Sequence, residues 1–257
     1  MYMSLLGKSD SDFLFKTKKI NADEFIFYSH LGLGDQIILS GAINYLSKRY
    51  NKIHLVSYEK FKNSLDLLYK ENNNVEMFYL PKDLNKLTQE KTEISEEVIR
   101  YSKKTNLEIL KIGYDKKDKR LHFSKAFYKQ LNLNYKLSYE YFSLHNDETQ
   151  VDKLSDHLKD TYKIDGDYKL IHNEHSSGPV NLTDVDKHNS IYITRETDPF
   201  NNLFLYEGLI NEASEIHCIN SSFAHLVDRL KTNGKLYYHE ILGSRLPFEK
   251  KWNYISY

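Results

Sequence analysis

Short apolar runs separated by amphipathic stretches constrain what this chain can fold into more than any other feature. Phe25–Ser29, Lys52–Tyr58, Val75–Leu80 and Leu107–Ile112 read as strands in the first half. Tyr168–Asn173, Ser190–Thr194, Glu215–Ile219 and Lys235–Glu240 repeat the pattern in the second. Between them, Asp35–Tyr50 places Ile37/Ile38, Ala42, Tyr45/Leu46 and Tyr50 at helical spacing. Glu59–Lys70, Asn146–Lys163, Asn201–Ala213 and Ser221–Leu230 read as further helices, and Lys82–Lys104 as helix or loop. Alternation of this kind gives βα units and mostly parallel sheets. The turn Asp165-Gly166-Asp167 follows the polar helix, so the expected division is 1–160 and 161–257, each Rossmann-like. The aromatics of Leu121–Leu144 are expected to close the first domain's core, and the tail from Ile241 to Tyr257 reads as irregular.

The first strand runs into Ser29-His30-Leu31-Gly32-Leu33-Gly34-Asp35 and then into a helix. In an open α/β sheet, ligands bind at this carboxyl edge of the strands. Gly32 and Gly34 are free to take positive φ and to let a substrate approach the backbone. Asp35 is then an N-cap candidate and a carboxylate at the mouth of a crevice. An aspartate of ordinary pKa is ionised at neutral pH and can accept a proton there.

The second half repeats this logic. Ile216–Ile219 delivers Asn220, Ser221 and Ser222 to a helix start, where unpaired backbone N–H groups and the helix dipole favour a phosphate or diphosphate. His225, one turn on, is placed to reach the same ligand or to pack inside. His175, Ser176 and Ser177 follow the preceding strand, and Arg195 follows the next. Arg195 carries the planar fork suited to a diphosphate, with a surface ion pair as the plainer alternative.

Composition narrows the classes. Lys+Arg and Asp+Glu both total 36, so no basic excess points to a nucleic-acid partner. The single cysteine, Cys218, excludes an intrachain disulfide and a cysteine zinc site. No run approaches the roughly 18 apolar residues of a membrane span. No signal peptide is read at Met1–Lys19, and a cytoplasmic protein is expected. Asp-x-Asp occurs at Asp10/Asp12, Asp165/Asp167 and Asp184/Asp186, none after a convincing strand, so no metal is expected. Ile37 stands where a dinucleotide fingerprint needs its third glycine.

Together the two constellations resemble glycosyltransferases of the two-Rossmann-domain (GT-B) type, and specifically the heptosyltransferase family (glycosyltransferase family 9). That family has a Gly-x-Gly-Asp turn after its first strand, matched by Gly32-Leu33-Gly34-Asp35. Its later Asp-Thr-Gly-x-x-His is matched in spacing by Asn220-Ser221-Ser222-Phe223-Ala224-His225, with Asn220 in place of the Asp and Ser222 in place of the Gly. The resemblance implies a compact version of two Rossmann-like domains facing across a cleft. It implies transfer of a sugar, with inversion, from a nucleotide-diphosphate sugar to a glycan or lipid-linked acceptor; no cofactor is expected, and a helix N-terminus plus Arg195 can do the work of a metal cation. Asp35 corresponds to the general base, with His30 as alternative base or sugar contact. Gly32, Gly34, His175, Ser176, Ser177, Arg195, Asn220, Ser221, Ser222 and His225 correspond to substrate-binding positions.

Two other functions fit the same residues. A nucleotide-sugar epimerase would convert the donor with no acceptor present. A catalytically silent glycan- or nucleotide-binding module would bind without forming product, and the two departures in the second motif favour it. Donor, acceptor and oligomeric state are not encoded legibly in these motifs.

Overall fold

The computed structural model describes residues 23–29, 32–81, 94–113, 122–175, 178–183, 185–241 and 245–257. The chain divides into two compact units between Ser143 and Leu144. The helix Glu148–Tyr162, which precedes the expected boundary, packs on elements of the second unit.

The first unit is built from β1 (Glu24–Tyr28), α1 (Leu33–Leu46), β2 (Lys52–Tyr58), α2 (Lys62–Leu68), β3 (Val75–Leu80), α3 (Glu96–Thr105), β4 (Glu108–Lys111), α4 (Phe123–Gln130) and α5 (Leu137–Glu140). Its four strands are parallel, in the order β3-β2-β1-β4. Strand period places Ile26, Tyr28, Val56 and Tyr58 on one face, where they form a buried cluster with Leu80 and with Val98 of α3. Phe25, Phe27, Ile53 and Leu55 point the other way and are equally buried, Phe25 meeting Tyr50 edge-on with ring centres 4.6 Å apart. The helix expected over Glu59–Lys70 is shorter, because a 3₁₀ turn, Glu59–Phe61, occupies its start. Of the charged segment Lys82–Lys104, 82–93 lies outside the described residues, and the remainder enters α3, capped by Ser95.

Nine residues of α1 are buried, as expected of a helix covered on two sides. The aromatic segment after β4 supplies the second cover. Fully buried Tyr128 of α4 sets its hydroxyl across one helical step of α1, accepting from the Ala42 N–H (3.0 Å) and donating to the Ile38 carbonyl (2.8 Å). Next to this contact, α5 lies so close that a Cβ on Gly41 would come 2.2 Å from the Leu137 carbonyl oxygen and 2.7 Å from the Ser138 Cα. The Asn72–Asn74 turn that follows α2 also holds α1. The Asn72 amide donates to Asn44 Oδ1 (2.8 Å) and Ser47 Oγ (2.9 Å), and the Asn74 amide to the Ser47 carbonyl (2.9 Å).

The second unit contains α6 (Glu148–Tyr162), β5 (Lys169–His172), β6 (Glu174–His175), β7 (Gly178–Pro179), β8 (Ser190–Tyr192), α7 (Glu207–Glu212), β9 (Glu215–Cys218), α8 (Ser222–Arg229), β10 (Lys235–Glu240) and β11 (Trp252–Ser256). Five parallel strands run β11-β10-β9-β5-β8, and β6 and β7 pair antiparallel beside them. Leu170, Ile216, Cys218 and Tyr238 are buried on one face, while Ile171 and Ile219 close a cluster with Leu182 and Val185. The helix expected over Asn201–Ala213 begins as a 3₁₀ turn, Leu203–Tyr206, capped by Asn202.

The tail is not irregular: β11 extends the sheet beyond β10. Its anchor is Asp228, a buried carboxylate of α8 that accepts from the Glu249 N–H (3.0 Å), the Lys250 N–H (3.1 Å) and the Trp252 indole (2.9 Å). Lys250 donates its ammonium to the Val227 and Leu230 carbonyls at the end of the same helix. Charge-assisted bonds of this kind are about twice as strong as neutral ones, so they hold a strand whose own side chains are half exposed. No helix among the described residues is long and apolar enough to cross a membrane.

Gly41 gives the packing a test with opposed terms. In an exposed helix interior, Gly→Ala stabilises by about 1 kcal/mol. Here the added methyl meets backbone atoms that cannot rotate away, an overpacking cost of about 1–3 kcal/mol or more. Gly41→Ala is therefore expected to lower the thermal midpoint measured by circular dichroism, and a raised midpoint would refute the close approach of α1 and α5.

Candidate functional site

Each sheet has one place where the chain's crossovers leave to opposite sides. In the first, β1 connects through α1 to β2 on one flank, and β3 returns through α3 to β4 on the other. The crevice between the carboxyl ends of β1 and β4 is thus the topological switch point. In the second, the order read from β8 places β5 between β8 and β9, so the switch point lies between the carboxyl ends of β5 and β9. Both polar constellations stand at these points.

At the first, α1 starts two residues earlier than expected. Gly32 is the N-cap, with φ −68° and ψ 146°, and Asp35 is the third residue of the helix rather than its cap. The Asp35 carboxylate reaches back to accept the Gly32 backbone N–H, the reciprocal half of a capping box. Neither Gly32 nor Gly34 adopts positive φ, since Gly34 is helical and Gly32 extended. Gly32 serves by its size instead: a Cβ there would lie 2.9 Å from Asp35 Oδ2, so any larger residue would push the carboxylate aside.

Asp35 does not keep an ordinary pKa. Burial raises it from 3.8 to about 7, opposed by the Gly32 N–H. The helix N-terminus and the amide bond do not repay the lost hydration. Half of the group is therefore ionised near neutrality, the condition in which a general base works best. On the neighbouring strand end, Gln130 of α4 pins Gly113, donating to its carbonyl (2.5 Å) and accepting its N–H (3.0 Å).

At the second switch point, Ser221 is the N-cap of α8, and its hydroxyl accepts from the Ala224 N–H at 3.3 Å. Asn220 and Ser222 are partly exposed, and among the described residues neither side chain has a hydrogen-bond partner. His225 is buried, its ring 6.2 Å from that of Phe248, so it takes the inward of its two expected positions. α8 is buried from Phe223 to Asp228, which leaves Ser222 and Arg229 at its two ends partly exposed.

Beneath the first turn of α8, His172 at the end of β5 donates from Nδ1 to the Ile193 carbonyl (2.8 Å) and packs against Phe223 with ring centres 5.2 Å apart. Burial lowers its pKa, Glu174 and Arg195 acting in opposite senses, so the ring is neutral at pH 7. Arg195 is 71 % exposed and ion-paired: its Nε lies 3.5 Å from Glu174 Oε1, and its backbone N–H donates to Glu174 Oε2 at 2.8 Å. His172 and Glu174 belong to the same polar run after a strand as His175, Ser176 and Ser177, but spacing alone gives neither a role of its own. His175 lies in β6, while His30, Ser176 and Ser177 lie outside the described residues.

The Asp-x-Asp pairs gather nothing further. Asp186 is ion-paired to Lys169 at 2.7 Å and caps the His188 N–H, Asp165 and Asp167 flank a turn, and Asp10, Asp12 and Asp184 lie outside the described residues. Among the described residues no group of three or more His, Cys, Asp or Glu side chains is placed to hold a metal ion.

No protein-family model matches the chain, and no curated protein matches it in sequence. Among solved structures it is similar to a glycosyl transferase of family 9 from Veillonella parvula, with a TM-score of 0.58 and 14 % identity over 93 % of this chain and 89 % of that one. It also aligns with the Escherichia coli heptosyltransferase WaaC, solved with ADP-2-deoxy-2-fluoro heptose, at a TM-score of 0.39 and 10 % identity, covering 90 % and 92 % of the two chains. The first of these likenesses establishes the fold as that of a family 9 glycosyltransferase structure.

A carboxylate held near neutral pKa by burial makes the folded chain pay for it. Below about pH 4 both folded and unfolded chains keep the Asp35 proton. Between there and about 7 only the folded chain keeps it, so stability falls across that window and the penalty is complete above it. An asparagine accepts the same Gly32 N–H without ionising. Asp35→Asn is expected to be more stable than the parent at pH 8, by about 1–3 kcal/mol in urea unfolding, and no more stable at pH 4. Equal stability at both pH values would show that Asp35 is not buried at this cost.

Proposed function

We propose that the protein is a glycosyltransferase that moves a sugar from a nucleotide-diphosphate donor to a hydroxyl of a glycan or lipid-linked acceptor. The observation that carries this reading is Asp35, a carboxylate at a switch point that is tied to the Gly32 N–H and whose pKa burial raises to about 7. In this reading Asp35 takes the proton of the acceptor hydroxyl as that oxygen attacks the anomeric carbon. The bond from that carbon to the donor diphosphate breaks, and the diphosphate departs with the electron pair. One displacement of this kind inverts the anomeric centre.

The second unit supplies what the departing group needs. The open first turn of α8, the unengaged Asn220 and Ser222 side chains and the Arg195 guanidinium offer donors and positive potential, the kind of preorganised stabilisation that lowers a barrier where charge develops. The reading requires Asp35 and the start of α8 to work on one bound pair of substrates, in a cleft of the GT-B kind. The family 9 structure supports it through the fold alone. With these donors in place, the reading assigns no role to a metal.

The test is nucleoside diphosphate release from a panel of nucleotide sugars, with and without glycan and lipid-linked acceptors. Asp35→Asn is expected to reduce turnover by about 100-fold or more while leaving nucleoside diphosphate affinity unchanged. In the parent, kcat/KM is expected to rise with pH up to about 7 and level above it, because the base acts only when ionised. Full turnover in Asp35→Asn removes the base assignment. Binding without product across all pairs would make the chain a binding module, and donor conversion without acceptor would make it an epimerase.

A further inference from the structure

Glu174 is the residue at the second switch point that a phosphate site least invites. Its carboxylate is only 18 % exposed and stands beside the guanidinium assigned to the leaving diphosphate. A fixed negative charge there repels a diphosphate, so its presence calls for a compensating role. The geometry supplies one. Both oxygens of Glu174 are spent on a single residue, Oε2 on the Arg195 backbone N–H and Oε1 on the Arg195 Nε. Among the described residues the two terminal nitrogens of Arg195 have no hydrogen-bond partner.

The topology makes this clasp directional. Arg195 follows β8, an edge strand, whereas Glu174 follows β5, the strand that borders the switch point. Left to itself, an arginine after an edge strand samples many rotamers in solvent, a large loss of entropy on binding. Held by its backbone and its Nε on Glu174, which follows β5, it keeps the outer fork of the guanidinium unengaged. His172, bonded to the Ile193 carbonyl, is close enough to feel the charges of both Glu174 and Arg195 and packs against Phe223 in the first turn of α8.

Resting on the transferase reading above, we propose that Glu174 is a positioning residue, which orients the Arg195 fork toward the diphosphate of the donor and of the departing product. It touches no substrate. Its contribution is to preorganise a cation whose Nη pair then engages phosphate oxygens bidentately.

Charge and positioning predict opposite signs, which makes the role testable. If Glu174 acts only through its charge, removing it tightens anion binding. If it positions Arg195, removing it weakens anion binding. The experiment is calorimetric titration of the full chain with ADP, UDP, GDP, CDP and inorganic pyrophosphate, with unfolding midpoints measured in parallel to verify folding. Glu174→Ala is expected to weaken the best-binding probe about 10-fold. Glu174→Gln, whose amide oxygen can still accept the Arg195 N–H, is expected to stay within about 3-fold of the parent. In an Arg195→Ala background, adding Glu174→Ala is expected to cause no further weakening.

Unchanged or tighter binding in Glu174→Ala overturns the proposal and leaves the transferase reading standing. Equal weakening with and without Arg195 overturns it too, because Glu174 would then act on another group. If the parent binds none of the five probes, the diphosphate site itself is refuted and the positioning role falls with it.

Discussion

Parallel strand pairing forces every connection to cross one face of a sheet or the other, and the choice of face decides where a ligand can enter. In the first unit the flanking crossovers part at β1, in the second at β5. Each of these strands is paired on both sides, so its own backbone is satisfied and only its carboxyl end is open. The buried apolar faces, from Ile26 and Val56 in one sheet to Leu170 and Ile216 in the other, hold those ends in register. Polar residues at these open carboxyl ends stand where an open α/β sheet can admit a ligand.

The two sites use opposite electrostatic strategies. At α1 a charge is placed where water is scarce, and a single backbone N–H does not offset the loss of hydration, so the group holds its proton to about pH 7. At the start of α8 the partly exposed Asn220, Ser221 and Ser222 offer uncharged donors beside the helix terminus, and Arg195 after the neighbouring strand is paired with Glu174. The first arrangement suits moving a proton and the second suits holding an anion.

The strands were legible because runs such as Phe25–Tyr28 are buried on both faces without a polar interruption, and Ile216–Cys218 is interrupted only by His217, itself buried. The position of Asp35 and of Asn220–Ser222 at strand ends was legible for the same reason. What was not legible depended on contacts distant in sequence or on space. Gly32 read as a conformational glycine, whereas it makes room for a carboxylate three residues on. β11 was hidden because Asn253 and Ser256 are exposed, and its anchor, Asp228, lies 24 residues before Trp252. The role of Glu174 required knowing that the ends of β5 and β8 are neighbours, which strand order alone reveals. His225 was ambiguous because its burial depends on Phe248, 23 residues further along the chain, which helical spacing alone does not reveal.

The hydroxyl of Tyr128 between the Ala42 amide and the Ile38 carbonyl has a consequence for how this molecule forms. Those partners are 86 and 90 residues away along the chain. The helix that carries Asp35 therefore cannot complete its surroundings from local sequence, however strong its intrinsic tendency to coil. During synthesis it leaves the ribosome well before the aromatic segment that braces it, and must wait for that segment to arrive. The acidic end of the helix thus matures late, as the product of a long-range closure of the kind that slows folding.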